Sequence, residues 1–428
     1  MPILPIIENP PKPSWKSLLT RPVIEPDGLR DTVREILEDV KAHGDPAVDK
    51  YAQRFDKTFL KERRVSQQEL EEAASHLSEE LKTAIRQAKK NIETYHRQQL
   101  TVEPVVETVP GIRCWRRSSA IEKVGLYIPG GTAPLFSTLL MLGVPARLAG
   151  CEEIVVCSPP QKDGSLHAAV LYTANLLGIQ RVFKVGGIQA IAAMAFGTQT
   201  IPAVYKIFGP GNQYVTQAKK AIQQDGIAID MPAGPSELAV YADDTASASF
   251  VAADLLSQCE HGSDSQVILV TDHRDFAVQV NDSLASQLEK IPRKSVAMKS
   301  LGNSKIIILD DPAVSIEFLN EYGPEHLILV CRDAEMLAEM VRNAGSVFIG
   351  NYAPESAGDY ASGTNHTLPT NGFARAYGGV GVDSFVKKIS FQQISREGLE
   401  AIGKTVIEMA TAEGLEAHAE AVRIRLGT

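Results

Sequence analysis

No stretch of this 428-residue chain is apolar for the ~20 residues a membrane-spanning helix needs. The longest run, residues 135–144, is broken by Ser137 and Thr138 and stopped by Pro145 and Arg147. The first residues, MPILPIIENPPKPSW, lack the basic segment and apolar core of a secretory leader. Cysteine is scarce: Cys114, Cys151, Cys157, Cys259 and Cys331, with no Cys-x-x-Cys pair. A disulfide framework or a cysteine zinc site is therefore not expected, and a reducing, cytoplasmic setting fits. Positive charge is in deficit, 43 Lys and Arg against 52 Asp and Glu, a net charge of −9. That argues against a nucleic-acid binder, whose affinity rests on neutralising phosphates. Finally, no Gly-x-Gly-x-x-Gly follows any strand-like run, so the usual dinucleotide fingerprint is missing.

What is present reads as globular α/β. Val33, Ile36, Leu37 and Val40 make a helical stripe over residues 31–41, and a second helical pattern runs over 67–100. From about residue 119, strand-like runs (124–128, 154–157, 181–185, 205–208, 227–230, 238–241) alternate with helical ones (166–177, 188–196, 214–222). A second alternation places helices at 249–258, 276–291 and 336–343, and strands at 267–270, 306–309, 327–330 and 347–349. Near-continuous apolar strands between helices predict two α/β units with parallel sheets covered on both faces. Residues 1–24 read as a Pro-rich arm lying on something else, and the chain from about 385 as a mostly helical tail.

Residues 398–405, GLEAIGKT, match the phosphate-loop pattern letter for letter. That loop needs a strand before it and a flexible interior. Here Leu399, Ile402, Val406 and Met409 continue a helical face, so an ordinary helix is expected. Gly209-Pro210-Gly211-Asn212 lies between a strand and a helix and could receive a phosphate, or be a plain turn.

Four polar clusters call for a reason. Gln258 and His261 are three apart at the end of a helix stopped by Gly262, either a capped end or half of a metal site. Glu325 and His326 follow Gly323-Pro324 at a strand entrance, either a surface loop or two proton-transfer groups. Asp359 and His366 lie in a long polar stretch, residues 354–366. Glu413 and His418 sit near the C-terminus, about 140° apart on a continuous helix unless Gly414 breaks it. Together Gln258, His261, Asp359 and His418 offer nitrogen and oxygen donors suited to zinc, with manganese or cobalt as replacements.

At these clusters the sequence resembles the histidinol dehydrogenase family, through VGLYIPGGTAPLFST, VGGIQAIAAMAFGT, KIFGPGNQYVTQAK, DMPAGPSEL, LLSQCEHGSDSQ, YGPEHL, PESAGDYASGTNHTLPT and EGLEAHAEAV. The resemblance implies two incomplete Rossmann-like units, with N- and C-terminal extensions used in dimerisation. It implies an arm at 1–24, one discontinuous α/β domain of 25–124 with 236–380, a second of 125–235, and a tail of 381–428. It further implies zinc held by Gln258, His261, Asp359 and His418, and Glu325 and His326 as the acid/base pair. Tyr127, Gln189 and Asn212 match NAD contacts. Ser236, His366 and Glu413, beside His326 and the metal ligands, match substrate contacts. The implied reaction oxidises L-histidinol to L-histidine through bound histidinaldehyde with two NAD, in a homodimer with shared sites. Two other classes compete: a thiol-dependent aldehyde dehydrogenase using Cys259, and a zinc hydrolase without redox chemistry.

Overall fold

Short runs of Val, Ile and Leu form the strands, because β-branched side chains fit a pleated, covered surface. A computed structural model describes residues 3–22, 28–57, 60, 62–130 and 134–427. It gathers most strands into two parallel sheets. The larger runs, edge to edge, Ile6–Glu8, Lys305–Ile308, Gln266–Thr271, Glu237–Ala242, His326–Val330 and Ser346–Ile349. The smaller runs Arg181–Lys184, Glu153–Ser158, Lys123–Tyr127, Lys206–Phe208 and Ala228–Ile229. Counted along the chain, both follow the order third, second, first, fourth, fifth. This is the dinucleotide-fold order short of its sixth strand, and the larger sheet adds the N-terminal strand beside its third.

Both faces of each sheet are covered. Helices Leu29–His43, Asp45–Tyr51, Gly187–Phe196 and Gln213–Ile222 share one core with the smaller sheet. Helices Gln67–Glu72, Glu79–Arg97, Phe136–Ala149 and Ala168–Leu176 share the other. On the larger sheet, Ala248–Cys259, Arg274–Leu288 and Lys294–Leu301 oppose Lys12–Leu18, Pro312–Tyr322 and Ala334–Ala338. Double cover explains why Glu237–Ala242 is buried at every position and shows no alternation.

The helices within residues 25–124 pack on the smaller sheet. Val33, Ile36 and Val40 share a core with Val155 and Ile191, and Ile85 and Ile92 with Leu126 and Leu139. A helical stripe announces a face to bury but not the sheet it will meet. The pattern over 67–100 is also broken: Ser78 turns extended, and its hydroxyl accepts from the Leu81 N–H at 3.2 Å. The N-terminal arm lies on the chain's own larger sheet, where Trp15 is buried edge-on to Phe318 at 5.1 Å. Burial of one such side chain contributes ~2 kcal/mol.

The tail differs from expectation too. It begins with Val386–Ile394, antiparallel to Ile112–Ala120, which also pairs with Val106–Val109. Helices Arg396–Ala412 and Glu416–Leu426 follow, separated at Gly414, whose φ of +73° no continuing helix permits. Residues 398–405 are indeed helical, with Ser395 Oγ accepting from Gly398 N–H at 3.1 Å as an N-cap. Among the described residues no helix is long and apolar enough to cross a membrane.

One connection fixes where the sheets meet. The chain leaves the smaller sheet after Ala228–Ile229 and enters the larger at Glu237, through residues 230–236 alone. Seven residues reach at most ~25 Å. The carboxyl edge of the smaller sheet is thereby held near the amino edge of the larger.

Candidate active site

At the amino edge of the larger sheet, Gly323, at φ +60°, ends helix Pro312–Tyr322. His326 then opens its strand, paired with Leu238 of the neighbouring one. Glu325 and His326 are buried, so the surface-loop alternative falls away. Glu325 Oε2 accepts from the Glu237 N–H at 2.9 Å. Burial raises the Glu325 pKa well above the usual carboxylate range, against which this one bond is too little.

The position of that N–H is itself fixed. Arg21, from the arm, donates to both Glu237 carboxylate oxygens at 2.7 and 2.6 Å, and its guanidinium stacks over Tyr322. Asn371 donates its N–H to the same carboxylate. Ser236, partly buried, precedes Glu237, and its carbonyl accepts from Gln266 N–H at 3.3 Å.

His326 Nδ1 lies 3.3 Å from the Glu237 carbonyl oxygen, which can only accept. The ring proton therefore belongs on Nδ1, and Nε2 keeps its lone pair. Burial lowers the His326 pKa to about 3, so the ring is neutral. Three carboxyl groups surround it: Glu325 at 3.7 Å and Glu355 at 3.7 Å from Nδ1, and Asp359 at 3.8 Å from Nε2.

Beside it, helix Ala248–Cys259 carries Gln258, fully buried, with both side-chain amide atoms unpartnered. His261 lies just past the helix end, its N–H donating to the Gln258 carbonyl at 3.2 Å. Helix Glu355–Tyr360 sets Glu355 and Asp359 one turn apart. Ligand atoms of His261, Glu355 and Asp359 fall within 4.8 Å of one another. Burial is the leading cause that raises Asp359 to about 6 and Glu355 well above its ordinary value. Glu355 Oε1 has no hydrogen-bond partner. Unpaired buried amides and carboxyls are costly, and this group would be satisfied by a cation. The nitrogen and oxygen donors fit zinc.

Sequence reasoning missed Glu355, although its spacing of four from Asp359 on a helix was the available signal. Asp254, one turn before Gln258, was missed as well; burial pushes it up to about 7. His366 faces the site from the polar stretch: its Nδ1 donates to the Asp359 carbonyl at 2.9 Å, and its Nε2 accepts from Thr138 Oγ1 at 3.2 Å. Burial lowers it to about 4 and keeps it neutral, as that pairing requires. Glu413 and His418 stand exposed on the tail, and His418 is not in the cluster around His261.

The carboxyl edge of the smaller sheet supplies the remaining residues. Tyr127 ends the first strand; its hydroxyl accepts from Gly187 N–H at 3.1 Å, and burial raises its pKa to about 12. Gly209, at φ +125°, ends the fourth-strand side of the crevice, and any side chain there would strike the Tyr127 carbonyl. Asn212 spends its Oδ1 capping the next helix, accepting from Val215 N–H at 3.1 Å. Its amide N–H groups are left for a ligand. The turn is braced from below: buried Lys219 donates to the Gly209 carbonyl at 2.7 Å and pairs with Asp230 at 2.5 Å. Gln189, also buried, donates Nε2 to Asp56 at 3.4 Å and leaves Oε1 unpartnered.

Residues 19–426 match the histidinol dehydrogenase family model. The histidinol dehydrogenase of Bacteroides thetaiotaomicron is 54% identical over 426 residues, covering 100% of both chains. That of Salmonella typhimurium is 50% identical over 96% of this chain and 94% of its own. A crystal structure of histidinol dehydrogenase from Elizabethkingia anophelis superposes with a TM-score of 0.98 at 52% identity, covering 100% of this chain and 99% of that one. With a family match across nearly its whole length, full-length relatives at half identity and a superposable structure, the chain belongs to the histidinol dehydrogenase family of oxidoreductases.

Proposed function

We propose that the protein oxidises L-histidinol to L-histidine through bound histidinaldehyde, with two NAD, one zinc per subunit and sites shared across a homodimer. The observation that carries the reading is a neutral, buried His326 with a free Nε2, set beside unpaired nitrogen and oxygen donors in a chain of this family. Gln258, His261 and Asp359 would hold the zinc, with His418 of a second copy. When bound, zinc supplies a cation that fixes substrate nitrogens, and NAD accepts the hydrides.

The residues of this chain supply the proton chemistry. His326 Nε2 takes the hydroxyl proton as a hydride leaves the carbinol carbon, giving the aldehyde. The imidazolium so formed lies 3.7–3.8 Å from the carboxyl groups of Glu325, Glu355 and Asp359. Glu325, with its raised pKa, takes a proton from the water that adds to the aldehyde while the His326 imidazolium returns its proton to the carbonyl oxygen, giving the gem-diol and a neutral His326. His326 then serves as base for the second hydride loss. Ser236 and His366, with Glu413 of a second copy, orient the substrate, and Tyr127, Gln189 and Asn212 hold NAD.

A thiol mechanism is disfavoured, because burial pushes the Cys259 thiol up to about 12 and leaves no thiolate at neutral pH. The reading is tested by incubating the purified protein with L-histidinol and NAD. Two NADH per histidine formed, and loss of turnover with a chelator, are expected; hydrolysis without NADH would reject it. Mixing inactive His261→Ala and His418→Ala proteins tests the shared site. A heterodimer then holds one intact site, so activity should return; no recovery once heterodimers form would refute sharing.

A further inference from the structure

The chemistry above leaves Asp56 without a role. It ends the short turn Ala52–Asp56 that continues helix Asp45–Tyr51, and it reaches across to Gln189 on the helix after the third strand of the smaller sheet. The carboxylate can only accept, so it orients the Gln189 amide with Nε2 inward. That leaves Gln189 Oε1 as a buried acceptor with no partner, in a side chain only 1% exposed. Two acceptors therefore stand together. Among the described residues no cation adds to the forces on Asp56, whose pKa burial raises to about 6.

In the dinucleotide fold the adenosine half lies over the first three strands, and an acidic residue at the end of the second reads the ribose 2′-hydroxyl. Here the second strand, Glu153–Ser158, runs into Pro159 and Pro160 and offers no acid at that place. Asp56 brings one in from outside the sheet. An acceptor pair with no cation beside it among the described residues suits a hydroxyl donor and repels a phosphate dianion.

We infer that Asp56 reads the adenine-ribose 2′-hydroxyl of NAD and excludes dinucleotides bearing a 2′-phosphate, making it a specificity-determining residue; this rests on the NAD reading above. Gln189 adds the second acceptor. The test measures histidinol oxidation by the full-length protein and its Asp56→Asn variant with NAD, NADP and the 2′-deoxyadenosine analogue of NAD. Asp56→Asn should narrow the NAD-to-NADP ratio of kcat/KM by ~10-fold or more. The unaltered protein should lose ~10-fold on the deoxy analogue, a comparison that needs no variant. An unchanged ratio in an active Asp56→Asn protein would overturn the inference, as would equal use of NAD and its deoxy analogue by the unaltered protein. Histidinol oxidation that consumes neither dinucleotide would instead strike the cofactor reading, and this inference with it.

Discussion

The two sheets share one strand order and use opposite ends of it. The smaller is proposed to bind NAD at its carboxyl edge, where the strand order reverses and loops after the first and fourth strands leave a crevice. The larger has the same crevice between Ala242 and Val330, yet the residues proposed to carry the chemistry, Glu325 and His326, stand at the other end, beside Glu237. The connector of residues 230–236 accounts for this. It passes directly from a carboxyl edge to an amino edge, so those two edges are held near each other. A fold therefore does not dictate which end of a sheet does chemistry; the linkage between units does.

The support differs as well. At the carboxyl edge a glycine turn is held by the Lys219–Asp230 pair. At the amino edge a backbone N–H is held by Arg21, an arm residue far away in sequence. Chemistry at the first edge depends on backbone shape, and at the second on titratable side chains kept out of water.

The largest effects should come from the amino edge. His326→Ala should slow both oxidations by ~10²–10⁴-fold. Glu325→Gln should slow aldehyde oxidation by a similar factor and spare alcohol oxidation, since only the former needs activated water. Single-turnover measurements starting from histidinol and from histidinaldehyde separate the two. Equal loss in both halves for Glu325→Gln would remove the division of labour.

Next come the two supports. Arg21→Ala leaves Glu237 buried without its cation, at a cost of ~3–5 kcal/mol. It should lower Tm and depress kcat, because the N–H that holds Glu325 is no longer fixed. Lys219→Met leaves Asp230 unpaired at a similar cost, ~3 kcal/mol. Its kinetic effect should fall on KM for NAD. If both substitutions raise KM for NAD and leave kcat alone, the two edges do not have separate roles.

Much of this was legible in the sequence for identifiable reasons. Strands such as Val267 to Val270 are apolar throughout, which only a doubly covered sheet explains. Glu325 and His326 stood out because Gly323 and Pro324 must bend the chain before an apolar run. Other features left no local trace. Val386–Ile394 is mostly exposed and Lys- and Gln-rich, so it reads as polar tail until its partner strand is known. The Arg21–Glu237 pair joins residues 216 apart, a contact that no spacing rule reaches. The buried state of Gln258 could not be read either, since burial belongs to the assembled core.

The smallest effect is one of stability, and it bears on why the amino edge is built of side chains that prefer water. Glu355 is 1% exposed, lacks a partner for Oε1, and has a pKa raised above its ordinary value chiefly by burial, with Asp359, Glu325 and Asp254 adding repulsion. Because the folded value lies above the unfolded ~4.3, folding favours the protonated form. Stability from this group is thus fully present below that pH, and is lost as pH rises toward the folded value. Glu355→Gln keeps the shape and removes the charge. In metal-free protein it should raise stability by ~1–3 kcal/mol at pH 8 and change little at pH 4. Denaturant titrations at both pH values give the comparison. A gain of the same size at both would mean that the substitution relieves packing and not charge. A loss at pH 8 would show that Glu355 is already compensated. The expected gain at pH 8 should come with altered turnover, because the same carboxyl faces His326, the proposed base, at 3.7 Å.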